Sequence, residues 1–323
     1  AIEPRATIAE FDVTGKLTLW TSTQAPYNVQ RDLSLVLGIP RSRIHVIKPY
    51  VGGGFGGKGE LNCHQVITSL LAMKTGRPVK ICLTREEEIS ITRLRASMIV
   101  HVKTGVKEDG ALVAQHLRCT ADSGAYASTS VLLMYNAGLT CLIPYRIPNF
   151  KYEGTMVYTN RAVTGPMRGH GANQPRFAVE SQLDMIAHDL ALDPAQLRLR
   201  NATQAGDISV NGLVFNSCEL SRAIEVSTKA TGWQEKRRRK RPYRGIGLAC
   251  GGFVCGARSG GHTASACFIQ VHIDGGVAVM TGSSDIGQGS KTVVALVVAE
   301  ELGLPLSEVT VVSADTETTP IEP

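Results

Sequence analysis

Apolar and polar residues alternate with a period of two over residues 6–12 and again over 17–22, on either side of Thr14-Gly15-Lys16. Alternation of that kind predicts two strands joined by a turn. The period then lengthens. Val29, Leu33, Val36 and Leu37 fall at i, i+4, i+7 and i+8, one face of a helix over Pro26 to Leu37, which Gly38 and Pro40 stop. A strand at 43–47 follows, then a helix at about 61–75 carrying Val66, Ile67, Leu70, Leu71 and Met73, then a strand at 79–84. Glu86, Glu87 and Glu88 read as a charged turn after that strand. Residues 95–127 alternate as a hairpin around Glu108-Asp109-Gly110. A long helix at about 174–190 turns Phe177, Leu183, Ile186, Ala187 and Leu190 inward, and another starts at Asp193-Pro194, with Asp as N-cap and Pro in the first turn.

The pattern repeats. Ala9 to Leu19 resembles Ile269 to Val279, and Leu37-Gly38-Ile39-Pro40 with Arg43 to Val46 resembles Leu302-Gly303-Leu304-Pro305 with Glu308 to Val311. The offset between copies grows from 260 to 265, so the second copy carries an insertion, within Ser284 to Ser290. Each copy places a glutamine, Gln24 or Gln288, where the hairpin turns into the helix. The fold class expected is α+β: two related hairpin–helix–strand units with mixed sheets and flanking helices. The domains expected are 1–230, a basic linker at 231–242, and 243–323 as a truncated repeat of residues 6–50.

Composition narrows the function classes. With 323 residues and 43% hydrophobic, the chain has material for two or three domains with sizeable cores. No stretch approaches the ~20 apolar residues of a membrane span, so no membrane partner is expected. The formal charge of +6 is local, because Lys236-Arg237-Arg238-Arg239-Lys240-Arg241 supplies all of it. Only 5% of residues are aromatic, which argues for a solvated linker over a nucleic-acid surface. Eight cysteines lack any CxxC spacing, and Cys250 and Cys255 do not complete an iron–sulfur pattern. They read as reduced, mostly buried thiols of a cytoplasmic protein, with Cys82 and Cys119 in apolar strands. The eight histidines show no HxH or HExxH spacing and read as satisfied or exposed, with no protein-bound metal expected.

Five glycines surround one phenylalanine in Gly52-Gly53-Gly54-Phe55-Gly56-Gly57-Lys58, just after the strand at 43–47. Glycines allow positive φ and close approach of a ligand to main-chain N–H groups, which suits an anion. No Ser or Thr follows Lys58, so this is not a Walker A loop, and the spacing is not that of a dinucleotide fingerprint. A flexible turn is the plain alternative.

Three loops stand together: Gly52 to Lys58, Gly165-Pro166-Met167-Arg168-Gly169-His170-Gly171, and Asp285-Ile286-Gly287-Gln288-Gly289. With Glu3-Pro4-Arg5-Ala6, Leu19 to Gln24, Gly76-Arg77-Pro78-Val79, Ile147-Pro148-Asn149, Gln174 to Glu180 and Asp193 through Asn201, their order and spacing resemble the molybdenum-binding large subunit of the xanthine dehydrogenase/aldehyde oxidase family. The resemblance spans essentially the whole chain. It implies an oxidoreductase, a molybdenum hydroxylase, whose metal is held through a molybdopterin that often carries a cytosine dinucleotide form. Electrons would be exchanged through iron–sulfur (2Fe-2S) and FAD partner subunits. Gln24 matches the glutamine near the metal oxo group. Gly54, Phe55 and Gly56 match the loop over the metal, Arg168 the arginine of the second loop, and Gln288 the pterin-contacting glutamine. Neutral amides, N–H donors and a permanent cation suit anionic ligands whose charge changes during reaction.

The departures bear on substrate. Purine-oxidising members carry Glu after the loop lysine and an arginine nine residues before the Tyr-x-Ile-Pro-Asn segment; here Gly59 and Asn136 stand at those places. Carbon monoxide dehydrogenases carry a copper-holding cysteine where Gly169 stands. Aldehydes, N-heteroaromatics such as nicotinate, and aromatic acyl-CoA thioesters remain. The family's general base, a glutamate in a late Gly-x-Gly-Glu motif, has no counterpart in this chain, so the isolated chain is expected to be incomplete as a catalyst and to need the remainder of the molybdenum subunit. The contrasting function is a non-catalytic module that binds a cofactor or phosphate ligand through the glycine loop.

Overall fold

A computed structural model describes residues 1–239, 241–253 and 265–322. Lys240 of the basic run and Cys255 lie outside the described residues. In chain order the elements are β1 (Ala6–Phe11), β2 (Leu17–Thr21), α1 (Pro26–Leu37), β3 (Ile44–Ile47), α2 (Cys63–Thr75), β4 (Val79–Cys82), α3 (Arg85–Ser90), β5 (Met98–Val106), β6 (Leu112–Gly124), α4 (Ser130–Cys141), β7 (Asn149–Tyr158), α5 (Asn173–Asp189), α6 (Pro194–Asn201), α7 (Leu220–Thr231), α8 (Trp233–Arg238), β8 (Cys267–Val271), β9 (Val277–Thr281), α9 (Ser290–Leu302) and β10 (Val309–Ser313). The α+β reading holds, with mixed sheets and helices among them. No described helix is long and apolar enough to cross a membrane.

The residues gather into two compact units that interleave along the chain. One comprises Ala1–Leu94, Pro166–Arg168 and the described part of Gly256–Pro323; the other comprises Arg95–Gly165 and the described part of Gly169–Cys255.

The first unit contains both copies of the repeat. Its larger sheet has the order β3-β2-β1-β4, with β2 antiparallel to β1 and parallel to β3. Its smaller sheet, β10-β9-β8, repeats that arrangement. The registers carry the sequence offsets: Leu17 pairs with Ile44, and their counterparts Val277 and Val309 pair with each other. Ala9, Leu17, Leu19, Val29, Leu33, Ile44 and Val46 form the first core, and Val277, Val279 and Val298 the second. The copies meet where Ile47 bridges Asp315 and where Tyr27 Oη donates to Thr319 O at 2.6 Å.

The second unit is built on β5-β6-β7, with β6 antiparallel to β5 and parallel to β7. Its core includes Leu117, Cys119, Leu133, Val179, Leu183 and Tyr145. At its centre Arg198 is fully buried, its Nε donating to Glu180 at 2.9 Å and its Nη1 to Asp184 at 2.8 Å. Glu180 also accepts Tyr145 Oη at 2.8 Å and Cys250 N–H at 3.1 Å. Asp193 caps α6 and accepts Trp233 Nε1–H at 3.1 Å, which fixes the start of α8.

Several expectations need correction. Glu86 to Glu88 are not a turn but lie on α3, where Thr84 caps the helix and Glu87 Oε2 accepts Thr84 N–H at 2.8 Å. The basic run is not wholly irregular, since Lys236 to Arg238 end α8. Helix α2 buries His64, Gln65, Thr68, Ser69 and Ala72, and leaves Ile67, Leu70 and Leu71 exposed. The reason lies in what it covers: Thr7 and Thr21 of the sheet hydrogen-bond each other, and Thr21 Oγ1 accepts Gln65 Nε2–H at 3.0 Å. Val36 and Phe177 are exposed rather than inward. Among the described cysteines Cys119, Cys141 and Cys250 are buried, while Cys63, Cys82 and Cys267 are exposed, so the set is not mostly buried. His64 is neither satisfied nor exposed: it is 2% exposed and neither ring nitrogen has a hydrogen-bond partner.

Candidate functional site

The glycine loop follows β3 and reaches α2 through a series of tight turns. Gly53 and Gly56 have φ of 94° and 91°, and Phe55, which has a side chain, holds φ 54°. A positive φ at a non-glycine residue is strained by ~1–3 kcal/mol, and such strain is kept where the surroundings hold it. Here the main chain on either side is held. Gly53 N–H donates to Ile286 O at 3.0 Å, Gly56 N–H to Gln24 Oε1 at 3.0 Å, and Arg168 N–H to Phe55 O at 2.9 Å. Gln24 N–H donates in turn to Lys58 O at 3.0 Å.

These bonds bring together parts of all three sequence loops with Gln24. The approach is too close for side chains: a Cβ at Gly54 would lie 2.6 Å from Gln24 Oε1, and one at Gly56 would lie 2.8 Å from Pro166 O. Gly59 differs. A Cβ there would sit 3.4 Å from Gly56 O and 3.6 Å from Gln24 Cδ, ordinary contact. Because Gln24 Oε1 is taken by Gly56 N–H, the amide NH₂ is the part left to donate, and it has no partner among the described residues.

Other expected residues are placed differently. Arg168 is exposed, and its main chain provides the contact to Phe55. Gln288 is exposed and spends its amide on its own loop, accepting Ile286 N–H at 2.7 Å and donating to Ser284 O at 2.9 Å. Asn136 lies on α4 of the second unit, 7% exposed.

Sequence reasoning missed what holds the loop from behind. Arg5 is buried, donates to Gly57 O and pairs with Glu88. Lys58 is buried and pairs with Glu3, whose carboxylate also accepts Gly52 N–H at 2.9 Å. His64 lies near these cations. Burial first, then Arg5 and Lys58, lower its pKa to about 4. The segment Glu3-Pro4-Arg5 was visible as part of the resemblance, but its pairing with Glu88 and Gly57 is not a local pattern.

Models of the molybdopterin cofactor-binding domain match residues 1–202 and 219–322. The chain belongs to the molybdopterin cofactor-binding family. A xanthine dehydrogenase molybdenum-binding subunit of Escherichia coli O157:H7 is 34% identical over 100% of this chain and 44% of its own length. A nicotinate dehydrogenase large molybdopterin subunit of Eubacterium barkeri is 35% identical over 73% of this chain and 56% of its own length. Among solved structures, quinoline 2-oxidoreductase from Pseudomonas putida 86 superposes with a TM-score of 0.90 at 26% identity, covering 98% of this chain and 43% of that one. This molybdopterin-binding chain thus spans less than half the length of the xanthine dehydrogenase subunit it matches. The glycine loop fits a cofactor of that kind: a bare main chain, side chains excluded by contacts under 3 Å at Gly54 and Gly56, and an amide donor at Gln24 with no partner among the described residues.

Proposed function

We propose that the chain is the cofactor-holding portion of a molybdenum hydroxylase acting on an aldehyde, an N-heteroaromatic or an aromatic acyl-CoA. The observation that carries this is the clamp of Gln24 on Gly56, which sets a glycine-rich main chain and an amide donor side by side. The bound molybdenum–molybdopterin supplies the two-electron redox chemistry. The chain's own residues would hold it: Gln24 would offer its Nε2 donor, Gly54 and Gly56 let the loop pack closely against Gln24 and Pro166, Phe55 would lie over the group, and Arg168 and Gln288 would border it. Fixed donors in a shielded site stabilise anionic ligands without reorganising.

Gly59 and Asn136 stand where purine-oxidising members carry Glu and Arg, which argues against xanthine as substrate and is in line with relatives named for nicotinate and quinoline. No carboxylate of this chain is assigned as general base; Glu87 and Glu88 are taken up by the α3 cap and by Arg5. The base is assigned to the remainder of the molybdenum subunit, and electron exchange to iron–sulfur and FAD partners. The same reading divides the chain into a first molybdopterin-binding domain (1–230), a basic linker (231–242) and the start of a second domain (243–323); the matched ranges, 1–202 and 219–322, support two such domains, with the second match starting ahead of the linker. A cytoplasmic location is supported by the described cysteines, which are free thiols.

The test is molybdenum analysis with pterin fluorescence after cofactor release, on the full-length protein that carries this chain. Stoichiometric metal and pterin, both reduced by Gln24→Ala, are expected. Phosphate-ligand binding without pterin or metal would replace this reading with a non-catalytic binding module.

A further inference from the structure

Behind the glycine loop the first unit has a cavity of about 710 Å³. Lys48, Tyr50, Gly52, Asp285, Gly287 and Lys291 are among the residues that line it. Lys48 is 8% exposed, yet among the described residues no carboxylate forms an ion pair with it. Its ammonium donates to two carbonyl oxygens, Asp285 O at 2.7 Å and Pro49 O at 3.1 Å. An ammonium has three N–H donors, so one remains unused. Lys291, in the first turn of α9, is the second cation. Its Nζ lies 5.9 Å from the ring centroid of Tyr50, which is 95% exposed, and it too has no ion pair among the described residues.

The two carboxylates in the wall are committed elsewhere. Glu3 is paired with Lys58 and accepts Gly52 N–H. Asp285 accepts the N–H groups of Gly287 at 2.9 Å, Gly289 at 3.4 Å and Lys291 at 3.1 Å, so it is spent on its own loop and on the first turn of α9. The lining holds two lysines and two carboxylates, but the charge of Glu3 is already balanced by Lys58, so two cations face the space with Asp285 as the one carboxylate left. A buried ammonium without a counter-ion is unfavourable unless a ligand supplies one. Burial, then the charge of Lys291, holds the Lys48 pKa below its usual value, with Asp285 opposing.

We propose that this cavity is an anion site in which Lys48 and Lys291 hold a phosphoryl group. Lys48 gives its unused donor from the wall, and Lys291 closes from the start of α9. The site stands on the two lysines and the cavity they line, whatever redox chemistry the chain takes part in. The phosphoryl group can come from free phosphate or from the phosphate-bearing end of the bound cofactor, and the two sources are separable.

The experiment titrates inorganic phosphate and pyrophosphate into the full-length protein by calorimetry, in cofactor-free and cofactor-loaded forms, with molybdenum content measured in parallel. Saturable binding to the cofactor-free form is expected, weakened at least tenfold by Lys48→Met and by Lys291→Met and unchanged by Lys74→Met, at the exposed end of α2. Binding to both forms identifies free phosphate as the occupant; binding only to the cofactor-free form identifies the cofactor's phosphate. Should Lys48→Met fail to fold, Lys291→Met at the cavity mouth carries the test. Absence of saturable binding to the cofactor-free form, or binding indifferent to the folded lysine variants, overturns the proposal. A protein without molybdenum that still binds phosphate through both lysines would sink the functional reading and leave the anion site standing.

Discussion

The side chain of Gln24 accepts the main-chain N–H of Gly56 at 3.0 Å, across 32 residues of sequence. A neutral hydrogen bond of this kind contributes ~1 kcal/mol net. Gln24→Ala should therefore lower unfolding free energy by about that amount, and should also lower molybdenum content. Gln24→Glu keeps an acceptor but replaces the amide donor with a negative charge. It should retain more stability than the alanine variant while holding as little metal or less. Equal metal content in wild type and both variants, measured on folded protein, would remove Gln24 from the cofactor site.

Gly56 and Gly59 lie three residues apart and should respond differently to one added methyl group. At Gly56 the backbone is at φ 91° and the new Cβ would meet Pro166 O at 2.8 Å. At Gly59 the nearest atom is at 3.4 Å and no positive φ is required. Gly56→Ala is expected to destabilise by ~1–3 kcal/mol. Gly59→Ala should stay close to wild type. Denaturant titration of the two variants side by side reads the contrast, and equal midpoints would contradict it.

Arg198 is fully buried between Glu180 and Asp184. Arg198→Met would leave Glu180, itself 5% exposed, without its main counter-charge. Breaking a buried pair by removing one partner costs ~3–5 kcal/mol. The double variant Arg198→Met, Glu180→Gln should recover part of that loss, because the stranded charge is gone. Urea unfolding of the three proteins checks this; a double variant no more stable than the single one would argue that packing, not charge, dominates.

His64 gives the fold an acid sensitivity of known sign. Its folded pKa is lowered from 6.5 to about 4, by burial first and then by Arg5 and Lys58. Between those values the unfolded chain binds a proton that the folded chain refuses. Stability from this group is full above pH 6.5 and is lost as pH falls toward 4. The slope is up to ~1.4 kcal/mol per pH unit. His64→Gln should flatten the stability profile in that window relative to wild type. Parallel profiles for the two proteins would show that His64 is not held neutral.

The elements themselves were legible because they depend on neighbours in sequence. The helix expected at Pro26 to Leu37 has those bounds, and Asp193 caps α6 as its position before Pro194 suggested. The repeat was legible as well, down to the offsets that the strand registers carry. Other features were not. Helices α4 and α7 and strand β7 had no counterpart in the periodicity analysis. Which face of α2 is buried could not be read from its own pattern, because the sheet below it offers Thr7 and Thr21 rather than an apolar surface. The α3 cap, and the pairing of its Glu88 with Arg5, were hidden in a run of three glutamates.

The sequence alone determined the elements of the first repeat, the repeat itself, and the glycine loop and glutamines that mark a molybdopterin-binding chain, because each is written in local spacing or in residue type. Tertiary structure decided which of those residues act on one another. Gln24 is turned onto Gly56, while Gln288, its counterpart in the repeat, is turned back onto its own loop. Lys48, which has no carboxylate ion pair among the described residues, donates to Asp285 O, on a loop 237 residues further along the chain. Hydrogen bonding and charge burial act through space, so their outcome is set when distant segments meet.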